Sequence, residues 1–264
     1  MRVSIQEIES ICNELSLGNE TDKLIEKNII SPVPDYYKKK DPEYNILNFK
    51  DREDWKKGRI KGIGGSEVSA IIGCSPYKTN IDLYHEKTGV RSVEDISSLP
   101  HVIYGVESEK YIRELFKLDY PEYSVEHRDF QLLQNKKYPF MLASLDGILT
   151  EESGRQGILE IKSTTIMNAM QRESWKGQIP QNYYVQVLWY MLVTGFDFVK
   201  VCAHIRSTWE GEVSTSIRHY HIERSEVLED IEMLKREAIE FWVNHVLKGK
   251  EPHLRLPMTP LKTV

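Results

Sequence analysis

Apolar residues between positions 140 and 222 fall into short alternating blocks that predict four strands. Phe140–Leu149 and Ile158–Ser163 flank the polar turn Glu151-Glu152-Ser153-Gly154-Arg155, and Phe198–Ile205 and Val213–Ile222 follow later. Helical spacing marks the other segments. Short helices are expected over Glu67–Ile72, ended by Gly73, and over Ile81–Thr88, capped by Asn80 and ended by Gly89. A longer one runs from Val106 to Leu118, with Ile112, Leu115 and Phe116 on one face. Asn182–Thr194 predicts a buried helix stopped by Gly195, and Ser225–Leu247 carries Val227, Ile231, Leu234, Ala238, Phe241, Trp242 and Val246 before Gly249. Near the start, Ile5, Ile8, Ile11 and Leu15 predict a helix behind Ser4, and Asp22–Ile29 a second. Helix, hairpin, helix, strands and helix make a mixed α/β domain.

The proline- and lysine-containing stretch from Ser31 to Pro42 reads as a connector. It divides the 264 residues into an appendage over 1–50, a main domain over 51–250 and a tail over 251–264. Apolar residues make up 40% and the net charge is −5, so overall charge gives no sign of nucleic acid and such a partner must be sought in local patches. No apolar run is long enough for a membrane span. The first residues turn acidic within seven positions, unlike a secretory signal. Three scattered cysteines make no disulfide framework, zinc pair or four-cysteine cluster. A reduced, cytoplasmic setting is the expectation.

Candidate chemistry concentrates in the hairpin. Side chains alternate along a strand, so Glu160 and Lys162 share a face while Leu159 and Ile161 point the other way. A turn centred on Ser153 places opposite one another residues whose numbers add to 306, and Asp146 and Glu160 satisfy that sum. Two carboxylates so placed repel unless something offsets them. A divalent cation would do so, since Mg²⁺ takes few carboxylates and completes its shell with phosphate oxygens and water. Lys162 would hold a phosphate, orient an attacking water or stabilise charge developing in the transition state. Asp-Gly is also a common turn dipeptide and Glu-x-Lys a common solvated pair, so the pattern alone leaves both readings open.

Asp146 followed by Glu160-Ile161-Lys162 resembles the PD-(D/E)xK nuclease signature, with Leu145 where a proline is usual. Four further pieces accompany it. Trp55-Lys56-Lys57-Gly58-Arg59 through Gly64-Gly65-Ser66-Glu67 holds four basic residues before its last acid. Alone it reads as a glycine-rich turn capped by Ser66 beside a solvated basic run. Its Trp55, Arg59 and Ser66 resemble the 5′-phosphate pocket of the YqaJ-type viral recombinase family, which includes lambda-type exonucleases. The run Ala70–Gly89 continues the likeness. Gly105-Val106-Glu107-Ser108-Glu109 resembles that family's first acidic helix, with Glu109 in the metal-supporting place; Glu109 and Arg113 also suit an ordinary i,i+4 pair. Gln186 and Tyr190 are similar to the Gln-x-x-x-Tyr element of these nucleases, although Leu188 stands where the lambda-type enzymes have a second Gln.

This resemblance spans roughly residues 55–205. It implies a restriction-endonuclease-like core, a central mixed sheet flanked by helices. It also implies a Mg²⁺-dependent 5′-to-3′ exonuclease, with Mn²⁺ as a substitute, acting on double-stranded DNA ends. Asp146, Glu160 and the carbonyl of Ile161 would bind the metal with Glu109 assisting. Lys162 and Gln186 would position and activate water, Arg59 and Ser66 would hold the terminal phosphate, and Trp55 and Tyr190 would support them. A single-strand annealing protein as partner and a homotrimer are further implications. The competing readings are a non-processive or endonucleolytic relative, of the kind that commonly carries an iron–sulfur cluster, and an inactive DNA-end-binding or inhibitory module.

Overall fold

The computed structural model describes residues 43–209 and 212–255, and its centre is the expected hairpin. Strand β5 (Gly147–Thr150) runs antiparallel to β6 (Gln156–Ile166), with Gly147 opposite Leu159 and Ile148 opposite Ile158. Those pairs carry the register expected from the turn. The expected strand Phe140–Leu149 is divided in two. Its first part, β4 (Leu142–Ala143), pairs with β3 (Gln131–Asn135), whereas β5 joins β6 and β2 (Ser124–Glu126). Asp146 stands where the chain passes between sheets. There its carboxylate accepts the Ile161 N–H at 2.7 Å and its carbonyl accepts from Arg113 at 2.7 Å, so side-chain bonds replace the ladder and the strand starts one residue later.

The larger sheet has the order β2-β5-β6-β7-β8, with β7 (Phe198–Trp209) and β8 (Glu212–Glu223). Only the β6–β7 pair is parallel among its neighbours. A parallel pair needs a crossover, and the chain between β6 and β7 supplies one through α5 (Ala169–Glu173) and α6 (Gln181–Thr194), numbered after the four helices that precede them. Those four are α1 (Arg52–Ile60), α2 (Gly65–Ile71), α3 (Asn80–Lys87) and α4 (Pro100–Asp119). On one sheet face, Ile112 and Phe116 of α4 pack against Leu149, Leu159, Ile161 and Cys202. On the other, Ile158, Val199 and Val201 meet α2, α6 and α7 (Leu228–Glu240). The alternation along β6 therefore turns Glu160 toward α6. From Val185 to Thr194 every residue of α6 is buried, which is what a helix apolar all round requires.

Several element boundaries differ from expectation. The α3 helix is capped by Thr79, whose hydroxyl accepts from Asp82 N–H at 3.1 Å. Asn80 is instead buried, its amide donating to the His253 carbonyl at 2.8 Å and accepting from Arg255 N–H at 3.0 Å. Residues 253–255, placed in the tail, are thus tied to the main domain. Likewise β1 (Tyr44–Asn48) lies within the 1–50 appendage yet pairs with β3, so the end of that segment belongs to the core. The last helix is continuous α only over α7 and then widens into a π turn, Phe241–Leu247, where Trp242 stacks on Phe140 at 5.0 Å. The helices expected over Ile5–Leu15 and Asp22–Ile29 lie outside the described residues.

Candidate active site

Strand β6 and helix α6 bring four of the expected residues together. Glu160 is 1% exposed. Its Oε1 accepts from Lys162 Nζ at 2.6 Å and from Gln186 Nε2 at 2.7 Å. Gln186 closes the triangle by accepting from Lys162 at 3.0 Å and donating to the Tyr190 hydroxyl at 2.8 Å. One amide therefore bridges acid, base and phenol, which needs Gln186 and Tyr190 one helical turn apart on the face that meets β6. Glu160 Oε2 is buried and without a hydrogen-bond partner. Burial first, then the charge of Asp146, pushes the Glu160 carboxyl up to about 8 despite Lys162. Burial also works against the charge on Lys162, but Glu160 and Asp146 outweigh it and hold the ammonium above its ordinary value.

Asp146 and Glu109 approach from the side of α4. Arg113, buried on that helix, donates to the Asp146 carbonyl and also to the Glu109 carboxylate. Burial, followed by the charge of Asp146, lifts Glu109 to about 7, and burial lifts Asp146 as well, against the pull of Lys162 and the Ile161 N–H. Three mutually repelling carboxylates thus face two cations. Ile161 lends its N–H to Asp146, and its side chain is buried on the α4 side. Among the described residues, no three His, Cys, Asp or Glu side chains are grouped so as to hold a metal ion by themselves.

Arg59 and Ser66 also meet: the guanidinium donates to the hydroxyl at 3.0 Å and lies 4.8 Å from the centre of the Trp55 ring. The Trp55 indole N–H is buried without a partner. Ser66 does not cap α2, as the sequence suggested. The helix begins two residues earlier, at Gly65, and Glu67 takes the capping role by accepting from Gly64 N–H at 2.8 Å. That frees the Ser66 hydroxyl for Arg59. Glu67 is itself held by Lys87, whose Nζ is 2.9 Å from both carboxylate oxygens. The pocket and the acidic cluster share a wall, since Gly65 packs so tightly on α6 that a Cβ there would lie 2.4 Å from the Tyr190 ring.

Sequence reasoning missed Arg113, Glu67 with Lys87, and Tyr183. Arg113 showed only as the i+4 partner of Glu109, and Glu67 only as the acid that ends a basic run. Tyr183 lies on the Gln186 face of α6, and its ring centre is 4.8 Å from Lys162 Nζ.

Comparison with known proteins agrees with this geometry. The chain is 31% identical over 208 residues to the uncharacterised protein YqaJ of Bacillus subtilis, a match over 77% of this chain and 59% of that one. It therefore spans about three-fifths of that relative's length. Its fold is similar to that of an alkaline exonuclease from Laribacter hongkongensis, with a TM-score of 0.52 at 15% identity, covering 75% of this chain and 97% of that one. Residues 54–197, more than half of the sequence and inclusive of every site residue described above, match the YqaJ-like viral recombinase domain, and the chain belongs to that family.

Proposed function

We propose that this protein is a Mg²⁺-dependent deoxyribonuclease that degrades double-stranded DNA from its ends in the 5′-to-3′ direction. The observation that carries the reading is the buried unit Asp146–Glu160–Lys162–Gln186, built against the same helix that walls the Arg59–Ser66 pocket. A divalent cation fits this donor set. Glu160 Oε2 is buried with nothing to satisfy it, and burial together with the neighbouring carboxyls raises Glu160 and Glu109, so a cation would satisfy the oxygen and favour the ionised forms. The incomplete cage suits Mg²⁺, which keeps waters and substrate oxygens in its shell. Asp146, Glu160 and the Ile161 carbonyl would hold it, with Glu109 alongside. Bound there, the metal would polarise the phosphodiester and acidify a water.

The chain's own residues do the rest. Lys162 stabilises charge developing on the phosphoryl oxygens, and Gln186 fixes both Lys162 and Glu160 in place. Arg59 and Ser66 supply donors for a terminal phosphate, with the Trp55 ring supporting the guanidinium. The pocket thereby acts as a ruler that sets which phosphodiester reaches the acidic unit. The 3′ single strand left behind is the substrate an annealing protein would take.

The test compares linear duplex DNA bearing 5′-phosphate or 5′-hydroxyl ends with closed circles, in one buffer because salt alone moves DNA affinity strongly. Phosphate ends should be digested fastest and circles should be nearly inert. Arg59→Ala should erase the end preference, EDTA should stop all cleavage, and Mn²⁺ should restore it. Equal rates on both ends, or ready cutting of circles, would replace this reading with an endonuclease.

A further inference from the structure

We propose that Tyr183 is a positioning residue for Lys162, its ring forming the third wall that fixes the direction of the ammonium. The kinetic part of this proposal rests on the nuclease reading above; the geometric part does not. Lysine carries a point charge on a long flexible stem, with three donors and no preferred direction. Glu160 and Gln186 engage Lys162 through one oxygen each, at 2.6 and 3.0 Å. Two such contacts leave the ammonium free to swing about the line between them. The face of Tyr183 closes that freedom, with its ring centre 4.8 Å from Nζ. The Lys162 side chain is only 17% exposed, and attraction between a cation and a ring face strengthens as water is removed.

Tyr183 is itself held. It stands three residues before Gln186 on α6, so both side chains share one helix face. Its ring packs on Trp175 with centroids 5.6 Å apart. Trp175 is 3% exposed, clusters with Ile166, Ala203 and Ile205, and has its carbonyl bonded by Arg218 at 2.8 Å and by the Tyr220 hydroxyl at 2.5 Å. A rigid path therefore runs from β8 through Trp175 and Tyr183 to the lysine. Tyr183 need not touch DNA to act.

The experiment pairs two readouts on the full chain carrying Tyr183→Leu, Tyr183→Met or Tyr183→Phe. In ¹³C-lysine-labelled protein without DNA, the Lys162 ε-CH₂ signal, assigned by its loss in Lys162→Arg, should lie upfield of other lysines because of the ring above it. That shift should vanish in the Leu and Met variants and return with Phe. On linear duplex, the Leu and Met variants should lose roughly tenfold in kcat with KM nearly unchanged, the scale of a desolvated cation–π contact, and Phe should restore turnover. An ordinary Lys162 signal in wild type overturns the proposal, as does undiminished kcat in a folded Leu or Met variant. So does a Phe variant as slow as Leu, which would assign the effect to the hydroxyl. If the wild type cuts no DNA, the nuclease reading fails, and the spectra alone decide whether Tyr183 fixes Lys162.

Discussion

Glu160 has two oxygens with opposite fates: Oε1 accepts from Lys162 and Gln186, while Oε2 is buried with no partner. Together with Asp146 and Glu109 it makes a site where charge, not packing, limits stability. Substitutions that all abolish chemistry should therefore divide by their effect on folding. Asp146→Asn keeps an oxygen for the Ile161 N–H and removes one of three repelling carboxylates. It should lower turnover by at least about 10²-fold yet melt at or above wild type in EDTA. Lys162→Ala should lower turnover similarly but melt below wild type, since Glu160 Oε1 loses its 2.6 Å donor in the interior. Matching melting shifts in the two variants would contradict this account of the site. The hairpin's register was legible because side-chain period and turn centre fix it, although the ladder ends at Gly147 and Asp146 bonds the Ile161 N–H instead. The role of Arg113 was not, because an i+4 partner of a glutamate looks the same whether it is solvated or, as here, reaches across to the Asp146 carbonyl.

Among the elements, α2 and α6 matter most, because their contact joins the phosphate pocket to the acidic unit. Gly65 makes that contact possible: a Cβ would meet Tyr190 at 2.4 and 2.8 Å and Gln186 at 3.1 Å. Gly65→Ala should cost about 1–3 kcal/mol by overpacking and, by displacing Gln186, should slow turnover as well. Gly105 inside α4 is the counterpart, with nothing within 4 Å of an added Cβ. Gly105→Ala should stabilise by about 0.5–1 kcal/mol through helix propensity alone. Thermal melts of the two variants give the comparison, and a destabilised Gly105→Ala would show that α4 makes contacts there beyond those described. The sequence revealed α6 because its apolar run is long and closed by Gly195. It concealed α1, which has no buried residue and hence no apolar stripe. It also concealed β1 and β3, since in β3 the buried positions Leu132, Leu133 and Asn135 break the period of two.

At the scale of the molecule, long-range ties decide what the domain includes and how its stability answers to pH. Asn80 reaches 173 residues along the chain to His253, and β1 completes a sheet with residues 131–135. Neither tie has a local pattern, which is why the sequence did not reveal them. The Glu67–Lys87 pair is a similar tie, joining α2 to the end of α3, with side chains only 13% and 2% exposed. Burial alone would raise the Glu67 pKa, but Lys87 and Arg59 outweigh it and hold it below its ordinary value of 4.5. A folded-state pKa below the unfolded one means stability that is present above about pH 4.5 and is lost as pH falls through the folded value. Glu67→Gln leaves Lys87 buried without its counter-charge and should cost about 3 kcal/mol at pH 7. The gap between wild type and variant should stay level down to about pH 5 and narrow below it, as the wild-type carboxylate takes up its proton. Glu109 and Glu160 work in the opposite sense, their raised values draining stability as pH rises from the ordinary glutamate value toward about 7 and 8. Because both proteins share that drain, it cancels in the difference. Urea unfolding of the two proteins from pH 3 to 8 measures the gap directly, and a gap that is the same at pH 3 as at pH 7 would show that Glu67 contributes packing rather than charge.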